Sequence, residues 1–190
     1  MTLHIAFEGH QCICSGTLLE VAMWARSRET SKNGPLLLIF EMASGRQIDI
    51  DTRGTDAEIE ARFACPNEGE NAAQPPEKGK RGRPKLGVVG REITLLPRHW
   101  EWLDRQRGGA SGTIRRLVDE ARKQSAHSDG IRIAQDRTNR FISAIAGDLA
   151  GFEEATRALY SGNEAALIEH VSGWPKDVRK YTLKFAEGAF

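Results

Sequence analysis

Five positive charges stand within eight residues in the run Lys78-Gly-Lys80-Arg81-Gly82-Arg83-Pro84-Lys85, with no acid among them. Charge at that density attracts a polyanion. The surrounding segment keeps the same sign: residues 78–123 carry 13 Lys/Arg against 5 Asp/Glu, whereas residues 1–77 carry 6 against 12 and residues 124–190 carry 8 against 9. The formal net charge of +1 over 190 residues therefore hides a basic middle between an acidic and a near-neutral flank. Other reactive constellations are thin. Cys12-Ile-Cys14 would put two thiols on one face of an extended chain, but a zinc site takes about four ligands and Cys65 stands far along the sequence. His4, His10, His99, His127 and His170 show no i, i+4 pairing that would suit a metal, and none stands out for catalysis. Neither Gly-x-Gly-x-x-Gly nor Gly-x-x-x-x-Gly-Lys-Ser/Thr occurs. The expectation is a binding protein with no metal and no cofactor, not an enzyme.

The core of the basic run, Arg81-Gly82-Arg83-Pro84, resembles an AT-hook, which lays two arginines along the minor groove of A·T-rich duplex. Gly82 has no side chain to hold the backbone off the groove floor, and Pro84 restricts the chain to extended geometry. A narrow A-tract groove concentrates negative potential on Arg81 and Arg83. Lys78, Lys80 and Lys85 would grip the adjacent phosphates. The alternative is a solvated basic linker with no sequence preference.

Residues 88–124 follow in the order extended segment, helix from Pro97 to Gln106, Gly108-Gly109 turn, helix from Ser111 to about Gln124. The segment resembles the ribbon-helix-helix repressors, in which two chains pair strands into a ribbon that enters the major groove. The resemblance implies a homodimer, because about 35 residues bury too little to stand alone. It also implies base-facing residues on the strand. Either Glu92 and Thr94 or, in the other phase, Arg91, Ile93 and Leu95 face the groove, since Ile93, Leu95 and Leu96 break the alternation. Ser111, as helix cap, and Thr113 would sit at the phosphate contact of the second helix. Trp100 and Leu103 are assigned to the buried face of the first helix and Trp102 to a partner surface. Ile114, Leu117, Val118 and Ala121 form the core face of the second. The alternative is a plain β-α-α element of a larger core, with solvated arginines.

These segments need flanking elements to carry them. Leu3, Ile5 and Phe7 alternate with His4 and Ala6 as in a half-buried strand over residues 3–8. Ser15-Gly16-Thr17 opens a helix to Arg28. Residues 35–42 and 47–51 flank the Ser44-Gly45 turn as a hairpin, and Thr55-Asp56 caps a helix ending near residue 64. Residues 1–64 thus form a small α/β domain, expected to fold alone and, with 6 Lys/Arg against 9 Asp/Glu, to stay off DNA. Residues 65–87 make a linker holding the basic motif, because the stretch before that motif has almost nothing to bury. Residues 125–190 form a helical region: Ile131, Ala134, Phe141, Ile142 and Ile145 make a stripe interrupted by Thr138, and three short amphipathic helices follow. The fold class is α+β. No apolar run approaches the ~18 residues of a bilayer helix. The N-terminus also lacks the basic and apolar regions of a signal peptide, so a cytoplasmic location is expected.

Across nearly the whole chain, Gly45-Arg-Gln-Ile-Asp49, Gly82-Arg-Pro-Lys-Leu-Gly87, Phe141-Ile-Ser-Ala-Ile-Ala-Gly-Asp148, Gly151-Phe-Glu-Glu-Ala155, Ala158-Leu-Tyr-Ser-Gly162 and Trp174-Pro-Lys-Asp-Val178 resemble an uncharacterised bacterial family, domain-of-unknown-function family 2239. That resemblance brings no activity with it. The expectation from the residues is a DNA-binding protein, a transcriptional regulator or nucleoid-associated protein, acting on double-stranded, A·T-rich DNA as a homodimer. The alternative is a protein-interaction adaptor or antitoxin-like partner that binds protein through its N- or C-terminal region.

Overall fold

The computed structural model of the chain describes residues 3–28, 37–64 and 89–190. It divides into two compact units, one made of Met1–Glu68 with His127–Phe190 and the other of Gly69–Ala126. The architecture is α+β, with one small antiparallel sheet among the described residues.

In the first unit, β1 (His4–Glu8), β2 (Gln11–Gly16), β3 (Leu37–Glu41) and β4 (Gln47–Ile48) form a sheet in the order β2-β1-β3-β4, antiparallel throughout. Strand β1 is central and buried on both faces. Ile5 and Phe7 join Phe40 in a large cluster, whereas Ala6 joins Ile39 and Val21 on the other side of the pleat. The strand is therefore fully rather than half buried. Strand β2 was not legible as a strand. It follows a two-residue turn at Gly9 (φ 58°) and carries a bulge, with Ala6 opposite Cys14 and Phe7 opposite Cys12. The extra residue shifts the alternation, so that Cys12 packs with the Phe7 cluster while Ile13 and Cys14 pack with the Ala6 cluster. The two thiols thus part to opposite faces, contrary to the simple extended reading.

Helices α1 (Leu18–Arg28) and α2 (Asp56–Ala64) each begin at a reciprocal cap. Thr17 N–H donates to Glu20 Oε2 at 2.7 Å and Glu20 N–H to Thr17 Oγ1 at 3.3 Å. Thr55 and Glu58 repeat the pattern at 2.6 and 3.3 Å. These bonds hold both glutamates below the usual carboxylate range, the backbone N–H being the larger cause.

The C-terminal residues complete this unit rather than forming a region of their own. Helix α4 runs unbroken over Gly109–Ile145, so the division between the two units at Ala126 and His127 falls inside a helix rather than at a break between elements. Its last turns are followed by α5 (Phe152–Tyr160), α6 (Glu164–His170) and α7 (Lys176–Phe185). Ala134, Thr138, Phe141, Ile142 and Ile145 of α4 are buried, and the stripe tolerates Thr138 because its hydroxyl donates to the Ala134 carbonyl at 2.7 Å. Phe141 sits among rings from the sheet and from α7, with centroids 5.6 Å from Phe7, 5.0 Å from Phe40 and 4.6 Å from Phe185. The sheet and the C-terminal helices share one core. The expectation that residues 1–64 fold alone is corrected accordingly, since Ile5, Phe7 and Phe40 would lose the helices that cover them.

Side chains of α4 also bind the ends of its neighbours. Arg137 donates from Nε and Nη2 to the Phe185 carbonyl at 3.0 and 2.7 Å, and from Nη2 to the Glu187 carbonyl at 2.8 Å. Gln135 Nε2 reaches the Leu159 and Ala189 carbonyls at 3.0 and 3.2 Å. The hairpin turn between β3 and β4 docks on the same stretch. Gly45 is buried at φ 68°, and a Cβ there would lie 2.0 Å from the Arg137 carbonyl oxygen. No side chain fits. Gly45→Ala is expected to destabilise by about 2–4 kcal/mol, through left-handed strain and backbone displacement together. Chemical denaturation would check it, and a midpoint within experimental scatter of the native one would refute the close approach.

Candidate nucleic-acid interface

Residues 89–126 belong to the second unit and are nearly without a core. Only Leu103 and Thr113 among them are buried. Helix α3 (Pro97–Asp104) starts at Pro97 as expected from its fixed φ, and the chain turns through Gly108 (φ 97°) and Gly109 (φ 71°) into α4. Those positive φ values are the reason for two glycines there.

This arrangement brings cations to the surface. Arg91, Arg98, Arg105, Arg107, Arg115, Arg116, Arg122 and Lys123 are all exposed. Arg116 pairs with Glu120 at 3.1 Å, an exposed i, i+4 bridge, and Arg115 Nε donates to the Ser111 carbonyl at 3.2 Å. Of these, only Arg91 is an expected contact from the sequence, although the local excess of Lys/Arg already points to the others.

The expected contact residues fare unevenly. Lys78, Lys80, Arg81, Gly82, Arg83, Pro84 and Lys85 lie outside the described residues. Arg91, Glu92 and Thr94 are exposed, on a stretch that forms no strand within the single chain. Both phases of groove reading stay open, because Ile93 is half exposed as well. Ser111 is not a cap: α4 begins two residues earlier, so Ser111 lies inside the first turn. Thr113 is 2% exposed and faces inward, which removes it from any surface contact. Trp100 is 37% exposed and Trp102 48%, so Trp100 does not belong to the core of the single chain. Leu117 and Val118, expected on a core face, are exposed too.

In the first unit Asp177, Tyr181 and the two cysteines of β2 serve the fold. Cys12 N–H donates to Asp177 Oδ2 at 3.0 Å, which ties β2 to the start of α7. Tyr181 packs beside Cys12, and its phenol is pushed up to about 12, first by burial and then by the Cys12 thiol. Burial likewise pushes the Cys14 thiol up, which leaves it a poor nucleophile at neutral pH. Among the described residues no group of three His, Cys, Asp or Glu is placed to hold a metal ion, and no helix is long and apolar enough to cross a membrane.

The motifs distributed through the first unit have structural roles. Gly45 admits the helix backbone, Asn163 after Gly162 caps α6 by accepting from Ala166 N–H at 3.0 Å, and Trp174 Nε1 donates to the Ala150 carbonyl at 2.8 Å. Nothing matches the chain among curated proteins or among solved structures. A family model does match, over residues 3–186, under the description "Uncharacterized protein conserved in bacteria (DUF2239)". With nearly its whole length covered, the chain belongs to that bacterial family.

Proposed function

We propose that the protein binds double-stranded DNA as a homodimer, as a transcriptional regulator or nucleoid-associated protein, through its basic middle segment and without enzymatic activity. The observation that carries this reading is the set of eight exposed cations between Arg91 and Lys123, only one of which forms an ion pair among the described residues. The five charges of residues 78–85 adjoin them in sequence. By composition residues 69–126 carry 13 Lys/Arg against 7 Asp/Glu, whereas Met1–Glu68 with His127–Phe190 carry 14 against 19. A positive field of that kind draws a polyanion to one unit and away from the other. The AT-hook-like motif adds a preference for narrow minor grooves. The ribbon-helix-helix-like segment adds a reason for two copies, since it buries only two side chains by itself.

The second reading is a protein-binding adaptor or antitoxin-like partner, favoured by the exposed Trp100 and Trp102. Fluorescence anisotropy on A·T-rich and G·C-rich duplexes at several salt concentrations separates the two. Salt-dependent binding with an A·T preference supports the first. Affinity that stays flat across salt, or no binding at low salt, rejects it in favour of the second.

A further inference from the structure

Helix α3 buries one side chain, Leu103, and leaves an indole standing between two cations. Trp102 lies about 100° around the axis from Leu103 and is 48% exposed. Arg98, four residues before it, and Arg105, three after, fall within about 60° of it, so the three side chains form one short row. Arg105 keeps that place as the C-cap because its backbone is still right-handed helical, at φ -81° and ψ -8°. Both arginines are exposed, and neither forms an ion pair among the described residues. Glu101 borders the row beside Arg105 and Asp104 lies across the helix, yet neither carboxylate holds a guanidinium. No other ring among the described residues meets the Trp102 indole.

We infer that Trp102 is a stacking platform for an unpaired DNA base, with Arg98 and Arg105 holding the phosphates on either side of that base. This rests on DNA binding by the same segment and narrows it to duplex that borders single strand. Inside a duplex each base is already stacked on both faces, so an indole on the protein surface takes only a base that has left the stack. Charge selects the occupant. An apolar protein surface laid over Trp102 would strip water from two unpaired guanidinium groups, a desolvation cost that no apolar group offsets. A nucleic-acid strand offers the matching order of phosphate, base and phosphate, and every base presents a π-face to the indole. Trp100 stands about 160° away around α3, so each chain offers one such platform rather than a pair.

The test uses the full-length protein with a blunt duplex, the same duplex carrying a short single-stranded thymidine tail, and the same duplex carrying a tail of abasic sites of equal length. The two tails carry the same phosphates, so only the bases separate them. Fluorescence anisotropy is expected to give about tenfold tighter binding to the thymidine tail than to the abasic one, as one stacked base supplies. Trp102→Ala should bring that ratio to within about twofold of one, whereas Trp102→Phe, which restores a flat ring, should keep most of it. Equal affinity for the two tails in the native protein overturns the platform. So does a preference that survives in Trp102→Ala, which would put the base elsewhere and leave the indole to a protein surface, and so does a Trp102→Phe chain as deficient as Trp102→Ala. In each of these cases binding to the blunt duplex still leaves the DNA reading standing. A protein with no affinity for any of the DNAs removes both.

Discussion

Between 50 and 200 mM salt the protein is expected to lose roughly 250- to 1000-fold of its duplex affinity, counted per chain. The figure follows from counterion release: about five basic side chains neutralising phosphates give a slope of about -4 to -5 in log affinity against log salt, at about -0.9 per contact. Those five are Lys78, Lys80, Arg81, Arg83 and Lys85, and contacts by further exposed cations would steepen the slope. Arg81→Ala with Arg83→Ala should lower the slope by about two and abolish the preference for A·T-rich duplex, because groove width and potential act on those two guanidinium groups. Arg105→Ala with Arg107→Ala, at the exposed turn before α4, should lower the slope while leaving the sequence preference intact, since phosphate contacts carry no base information. An unchanged A·T preference in the first double variant would sink the hook assignment. An unchanged slope in the second would show that the turn does not touch the backbone.

Phe141→Ala is expected to cost about 3–5 kcal/mol, a large share of the stability of an ordinary domain. Phe141 is fully buried and its ring meets Phe7, Phe40 and Phe185, which come from strands β1 and β3 and from helix α7. Removing it opens a cavity where sheet and helices meet, and neither side can collapse without losing contact with the other. The loss should register in one denaturation transition, followed by far-ultraviolet circular dichroism and tryptophan fluorescence together. For the same reason, residues 1–64 expressed alone should show no cooperative transition. A sigmoidal unfolding curve from that fragment would mean that the sheet is stable without its C-terminal cover.

The sequence carried local information well. The capped helices after Thr17 and Thr55, the hairpin around Ser44-Gly45, the start of α3 at Pro97 and the short helices punctuated by Gly162-Asn163 and Trp174-Pro175 were all legible, because caps and turns depend on residues a few positions apart. Charge was equally legible, since its sum along the chain needs no coordinates. Burial was not. The same alternation in residues 3–8 serves a strand covered on one face or on both, and a one-residue bulge at Cys12–Cys14 reverses which core a side chain enters. Thr113, expected at a surface contact, is buried, while Trp100, expected in the core, is exposed. Helix periodicity gives the face of a side chain but not what lies opposite it. The continuity of α4 through residues 124–131 was lost for a related reason: a polar stretch reads as a break, although a helix needs only satisfied backbone bonds and compatible residues to continue. The sequence by itself determined the local elements, the basic middle and the candidate anion-binding residues. Only the tertiary structure decided that the N-terminal sheet and the C-terminal helices make one core, because long-range burial depends on which apolar faces meet in space.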